Sequence, residues 1–419
     1  MQPVLPRFAE VALRAALSDT RVVILNGARQ VGKSTVVQTA TKQRDKVILR
    51  TLDRPGDLAA AKADPEGFVE HDGLMVIDEV QRAPEIILPL KARVDIDLRP
   101  GQFLLTGSAR IHGLKSLPDA LVGRSETIEL WPFSQREIAG EGRERGHFVD
   151  ALFADTPKFG GGTTSRAGYV ERILRGGFPE ATKRSGARRE RFFEAYVRDL
   201  IDRDVAMLSE IEKRNDLLRL IRLLALRQAT LLKIDELSST LAIPATTLSR
   251  YIALLEQVFL IKRIPAWSSS QTTRAVRMQK LLMVDSGIAA YLTGATERRL
   301  QREPVRIGSL LENFVLSEIA RQLTWSATPL TLFHFRTRDG EEVDGVLESN
   351  DGRLVGIEIK AATSVGEADF RNLKHLAKRA NGDFHLGIVL YTGAQVLPFG
   401  PKLRAVPINA LWTSKHQIK

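Results

Sequence analysis

Cysteine is absent from the 419 residues. Its absence excludes disulfide scaffolds, cysteine-ligated zinc, iron–sulfur clusters and thiol nucleophiles. Aromatic residues are scarce, at 6%, so the cores must be mainly aliphatic. No apolar run reaches the 18 or so residues that a spanning helix needs. The opening MQPVLPRFAEVALRAAL carries Glu10 and has no apolar core followed by a small-residue cleavage site. A secretory signal is therefore not expected, and the expected location is the cytoplasm. The seven histidines (His71, His112, His147, His334, His375, His385 and His416) are scattered without metal-ligand spacing, and none is assigned to a metal.

What is present is ordinary for a folded chain: 43% hydrophobic and 26% charged residues, a balance that excludes wholesale disorder. At ~150 residues per domain the length suggests two or three domains. The net charge is +11, and residues 166–282 hold 22 basic against 13 acidic side chains. A basic excess concentrated in mid-chain suits a polyanion such as DNA, or else is a solvated helical face.

Residues 1–140 alternate apolar runs with stretches of helical length. RVVILNG (21–27), KVILRTL (46–52), LMVIDEV (74–80) and GQFLLTG (101–107) read as buried parallel strands. The expected fold class is α/β, with a parallel sheet covered on both faces. Residues 141–168 read as a linker or long surface loop, rich in Gly, Ser, Thr and Arg. Residues 169–295 read as helical. Within them, 233–264 has the helix, tight turn, helix, strand order of a winged helix-turn-helix. Its second helix turns Thr246, Thr247, Ser249 and Arg250 to solvent, where they would meet a DNA groove, with Arg222, Arg227, Lys262 and Arg263 near phosphates. A lid or docking surface is the other use of such a module. Residues 300–413 return to mixed α/β, with strands TLFHFRT, EEVDGVLES, RLVGIEIKA and FHLGIVLYT and helices at 307–323 and 370–380.

Gly27-Ala28-Arg29-Gln30-Val31-Gly32-Lys33-Ser34, continuing into Thr35, fits G-x-x-x-x-G-K-[ST] between a strand and a helix. The glycines let successive amides point at phosphate oxygens. Lys33 reaches the β/γ-phosphates, and the Ser34 hydroxyl ligates Mg²⁺. Asp78, at the end of the third apolar run, would hold Mg²⁺ through water, and Glu79 would orient and deprotonate the attacking water. Thr106 or Ser108 is a polar sensor of the γ-phosphate, or caps the following segment. Arg124 is either an arginine finger that completes a neighbouring subunit's site or an ordinary surface arginine.

NGARQVGKST, VIDEVQR, LLTGSAR, LVGRSETIEL and WPFSQREI, in that order, resemble the N-terminal domain of prokaryotic AAA+-type P-loop ATPases whose C-terminal half was long catalogued as a domain of unknown function. The resemblance continues through LRGGFPE (174–180), VDSGIAAYLTG (284–294), GSLLENFVLSEI (308–319) and the closing PINALW. It implies an AAA+-like sheet, ATP as the nucleotide and homo-oligomers, ring-type among them.

The C-terminal stretch carries Glu312 on a helix, Asp344 before a strand, and Glu358-Ile359-Lys360 in the next strand, where alternation sets Glu358 and Lys360 on one face. This order is similar to the PD-(D/E)XK nuclease fold. Under that reading Glu312, Asp344, Glu358 and the Ile359 carbonyl hold Mg²⁺, and Lys360 orients or deprotonates water. A solvent-facing Glu358–Lys360 ion pair on a non-cutting sheet is the alternative. Two functions stay open on the sequence alone. One is an ATPase that acts on DNA with a metal-dependent nuclease. The other is a nucleotide-dependent switch, binding protein or nucleic acid, with a nuclease-like domain that does not cut.

Overall fold

Strands buried on both faces read as unbroken apolar runs, and VVILNG, LMVID and FLLTG obey that rule. The computed structural model describes residues 4–108, 121–143, 146–205, 214–303 and 306–414. The last two residues of LLTGSAR, the first two of DALVGR, and His112 and His416 lie outside these. β1 (Val22–Gly27), β2 (Val47–Thr51), β3 (Leu74–Asp78), β4 (Phe103–Gly107) and β5 (Ser125–Leu130) form one parallel sheet in the order β2-β3-β4-β1-β5. Side chains alternate across it. Val23 and Leu25 of β1 pack with Leu13, Leu17, Val36 and Val37 of the helices Ala9–Asp19 and Lys33–Thr41. Val22 and Ile24 pack on the opposite face with Leu90 and Val94 of the helix Ile87–Ile96. β2 departs from the expectation of burial. It is the sheet's edge, and Val47 and Leu49 are exposed. Nothing in its apolar pattern distinguishes an edge strand from a central one.

The middle region is helical. Helices Ile234–Leu241 and Ala245–Gln257 are joined by a short turn in which Ala242 has φ 56°. They lead into β6 (Ile261–Ile264), antiparallel to β7 (Lys280–Met283). Leu248, Ile252 and Leu255 form the buried face of the second helix, and Tyr251 is also buried.

A six-stranded mixed sheet follows: β8 (Leu330–Arg336), β9 (Glu342–Ser349), β10 (Leu354–Lys360), β11 (Phe384–Tyr391), β12 (Leu397–Pro398) and β13 (Leu403–Pro407), ordered β12-β13-β11-β10-β9-β8. β12 and β13 have no counterpart in the sequence reading, where Pro and Gly interrupt 397–407. The helix Ile307–Gln322 is buried along most of its length, and the helix Arg371–Arg379 sends Leu373 and Leu376 into the core of the other sheet face.

One continuous apolar cluster joins Leu25 of the first sheet, Leu220 and Leu255 of the middle helices, and Leu347 and Ile357 of the last sheet. The stretch expected as a linker takes part in it. Phe148, Val149 and Leu152 are buried, Asp150 accepts from Ser326 (2.6 Å) and from the Thr328 amide (3.1 Å), and the Gly160 amide donates to Ser414 (2.9 Å). Its Gly and Arg clusters masked a short apolar FVDALF that straps the chain against its own far end.

Candidate nucleotide site and the C-terminal acidic cluster

β1 ends at Gly27, beside Leu130 of β5. A Cβ at Gly27 would stand 2.4 Å from the Leu130 carbonyl oxygen, so only glycine lets the loop leave the sheet there. Gly32 has φ +99° and caps the helix Lys33–Thr41, a left-handed conformation in which glycine is least strained. Lys33 is buried, and its Nζ donates to the carbonyls of Gly27 (2.9 Å) and Ala28 (3.1 Å). Ser34 and Thr35 are exposed on the first helical turn. Arg29 is half-buried and Gln30 exposed, while Ala28 and Val31 point inward.

Asp78 ends β3, and Thr106 of β4 donates to its Oδ1. Glu79 follows in a left-handed backbone conformation, φ 57°, which turns its carboxylate away from the strand line. Ser108 donates to Glu79 Oε2 (3.1 Å), and so does the side-chain amide of Gln81. The two sensor candidates thus have separate tasks: Thr106 holds Asp78, and Ser108 holds Glu79. Gln81 went unnoticed in the sequence. Its place in VIDEVQR, two residues past the acidic pair, was the available signal.

Arg124 precedes β5, at the end of the sheet opposite the P-loop. β5 runs six residues beside β1, roughly 20 Å at ~3.3 Å per residue. Within its own chain Arg124 clasps Asp95, with Nη2 3.0 Å from Oδ2, and donates to the Val122 carbonyl (3.0 Å). The guanidinium lowers the Asp95 carboxyl below its usual range.

A cavity of ≈ 660 Å³ adjoins the P-loop at Gly32, Thr35 and Val36. Val4, Leu5, Phe133 and Ile138 line one part of it, and Pro179, Thr182 and Lys183 of the middle region close another. Arg7 also reaches this cavity and ties the P-loop down. It donates to the carbonyls of Val31 (3.0 Å) and Trp131 (2.6 Å) and pairs with the buried Glu137 (3.0 Å). Glu137 also accepts from the Phe8 and Ser134 amides. From there the polar contacts run on. The Gln135 amide donates to Glu318 (2.9 Å), Glu318 pairs with Arg321 (3.0 Å), and Arg321 faces Asp285 (3.8 Å), which accepts from the Gly177 amide (2.7 Å). Burial pushes the Glu318 and Asp285 carboxyls up, and Arg321 opposes the shift. WPFSQREI, LRGGFPE, VDSGIAAYLTG and GSLLENFVLSEI thus meet at one joint.

On the middle helix Thr246, Ser249 and Arg250 are exposed and Thr247 half-buried. Arg250 lies over the Tyr251 ring at 5.7 Å. Of the four basic residues expected near phosphates, three have acidic partners: Arg227 with Glu236 (3.0 Å), Arg263 with Glu256 (2.7 Å), and Lys262 with Glu129 of β5 (3.6 Å). Lys262 also stands over the Trp131 ring, so β6 faces the first sheet.

The C-terminal candidates come together. Asp344 accepts from the Ile359 amide (2.8 Å), and Glu358, buried, pairs with Lys360 (3.4 Å) and faces Asn372 (3.4 Å). Glu312 approaches from its helix. Two members were not singled out in the sequence, Glu342 and Lys280, and the Lys280 ammonium lies 2.7 Å from Glu312, 3.0 Å from Glu342 and 3.6 Å from Asp344. Burial and the neighbouring Asp344 charge push the Glu312 and Glu358 carboxyls up to about 8. Among the described residues no group of three His, Asp or Glu has a metal-holding arrangement, and no helix is long and apolar enough to cross a membrane.

Comparisons with known proteins match the chain in three stretches. Residues 19–139 match the family model of an AAA domain. Residues 166–299 and 307–411 match two domains of unknown function, DUF8612 and DUF4143. Uncharacterised proteins of Mycobacterium tuberculosis and Mycobacterium bovis are each 28% identical over 414 residues, 97% of this chain and 85% of theirs. Among solved structures, a Walker-type ATPase of Pyrococcus abyssi is similar at 16% identity and TM-score 0.41, over 69% of this chain and 96% of that one. The Thermotoga maritima RuvB Holliday junction branch migration motor is similar at 18% identity and TM-score 0.27, over 70% and 90%. The P-loop motif, the acidic strand end and the parallel sheet all lie in the stretch that matches the AAA domain model, and the last sheet lies in the stretch that matches DUF4143.

Proposed function

We propose that the chain is an ATP-hydrolysing switch, in which nucleotide on the P-loop sets how the middle region and the DUF4143 domain sit against the AAA domain. The observation that carries this reading is the cavity beside Gly32, because its walls come from both the AAA domain and residues 179–183 of the middle region. Its apolar side chains suit a base, and the loop amides and Lys33 suit the phosphates. Ser34 and Asp78 are the hard oxygen donors that Mg²⁺ prefers. They would hold the ion, which when bound neutralises charge on the β- and γ-phosphates. Glu79, held by Ser108 and Gln81, orients the attacking water. Arg124 serves the nucleotide of a second copy in a homo-oligomer, since its own P-loop lies at the far end of the sheet. Hydrogen exchange on the full chain tests the switch. A non-hydrolysable ATP analogue should protect residues 176–183 and 308–322 relative to ADP. Protection confined to the first 140 residues would refute it.

DNA is the proposed partner. The exposed Thr246, Ser249 and Arg250 on one helix favour it, with Thr247 at the margin, as does the mid-chain basic excess. Fluorescence anisotropy should show binding that weakens with salt. Arg250→Ala should weaken it across sequences and lower the salt slope by about 1. Salt-independent binding, or none, would remove DNA from the scheme.

A further inference from the structure

We infer that Lys280 is the resident cation of the C-terminal acidic cluster, standing among Glu312, Glu342 and Asp344 where a nuclease-like sheet would hold a divalent metal, so that this sheet is a charge-locked docking partner of the middle region and does not cut nucleic acid. The inference is independent of the nucleotide switch.

The geometry carries it. The Lys280 side chain is 0% exposed, and its ammonium offers three donors, with two carboxylates at 2.7 and 3.0 Å and a third at 3.6 Å. A magnesium ion would need oxygens at about 2.0–2.1 Å in near-octahedral array, and its place is filled by the ammonium. Moving the lysine aside is resisted at its backbone, because Lys280 pairs with Ile264 of β6 on one side and bridges to Leu231 on the other. Other oxygens of the cluster are engaged as well. Arg336 donates to Glu342 Oε2 (2.8 Å), the Ile359 amide to Asp344 Oδ2 (2.8 Å), and Lys360 faces Glu358 (3.4 Å). Four carboxylates thus meet three cations, which leaves little of the negative field that would draw a dication from water. The arrangement does not fit the metal that the PD-(D/E)XK resemblance implies. It fits a buried ion cluster that joins β7 to the last sheet.

Such clusters specify register more than they add stability, but removing one partner strands the others in a poor solvent. Lys280→Met should therefore lower Tm, and Glu312→Gln in the same chain should recover part of the loss, whereas Lys280→Arg, which keeps the charge, should lose less. Metal uptake gives the second readout. With Asp78→Asn present to silence the nucleotide site, Mn²⁺ alone should show no saturable binding by paramagnetic resonance. Adding Mn²⁺ to the full chain should give no cleavage of single-stranded or duplex DNA. Saturable Mn²⁺ binding that disappears with Asp344→Asn would overturn the inference, as would Mn²⁺-dependent cleavage lost with the same change. A Lys280→Met chain as stable as its parent would also overturn it. The uptake measurement needs no Lys280 variant, so the test survives if Lys280→Met does not fold.

Discussion

Glu79→Gln is expected to hold ATP and turn it over about 10²–10⁴-fold more slowly, the usual loss when a positioned base is removed. The substitution keeps the side chain's shape and its bond from Ser108, so binding through Lys33 and the loop amides survives. What goes is the carboxylate proposed to draw a proton from the attacking water. Glu79 is suited to that task because its left-handed backbone and two donors, Ser108 and Gln81, hold it in one orientation. Turnover by the purified variant, measured beside nucleotide binding by calorimetry, separates the two effects. Unchanged turnover would remove Glu79 from the mechanism. The same variant tests Arg124. Mixing Glu79→Gln subunits with Arg124→Ala subunits should restore part of the activity, because some interfaces then pair an intact base with an intact arginine. Absence of rescue would leave Arg124 to its clasp with Asp95.

The second large effect is structural. Arg7→Leu is expected to cost roughly 3–5 kcal/mol of unfolding free energy, because it leaves Glu137 buried without its cation. Both partners are almost completely buried, and Arg7 makes three bonds, to Val31, Trp131 and Glu137. The loss should appear in denaturant unfolding, together with weaker ATP binding, since the Val31 carbonyl is one of the bonds lost. Glu137→Gln should cost less, because an amide oxygen still accepts from Arg7. A near-neutral Arg7→Leu would show that the joint is not held this way.

The candidate nucleotide site was legible because its parts are local. Gly27 to Thr35 are contiguous, and Asp78-Glu79 ends an apolar run, so a strand and a motif suffice to place them. The parallel sheet was legible for the same reason. The exposure of β2 was not, because an edge is decided by strand order. Nor was the strap at 146–165, whose short apolar stretch is buried by residues far along the chain. Pairings such as Arg7 with Glu137, 130 positions apart, and Lys280 with Glu312, 32 apart, leave no periodic trace. Glu312, Asp344, Glu358 and Lys360 were found from their order along the chain. The lysine among them comes from a different region and carries no motif. Its place among the carboxylates follows from the pairing of β7 with β6, which no spacing along the chain records.

The cavity beside Gly32 has a last consequence. Any molecule that fills it touches the P-loop helix on one side and Pro179, Thr182 and Lys183 on the other, and so acts as mortar between two blocks. Ligand-linked stabilisation grows with the logarithm of free ligand over its dissociation constant. The firmness of that seam is therefore not a fixed property of the polypeptide, and it rises with the free concentration of whatever occupies the cavity.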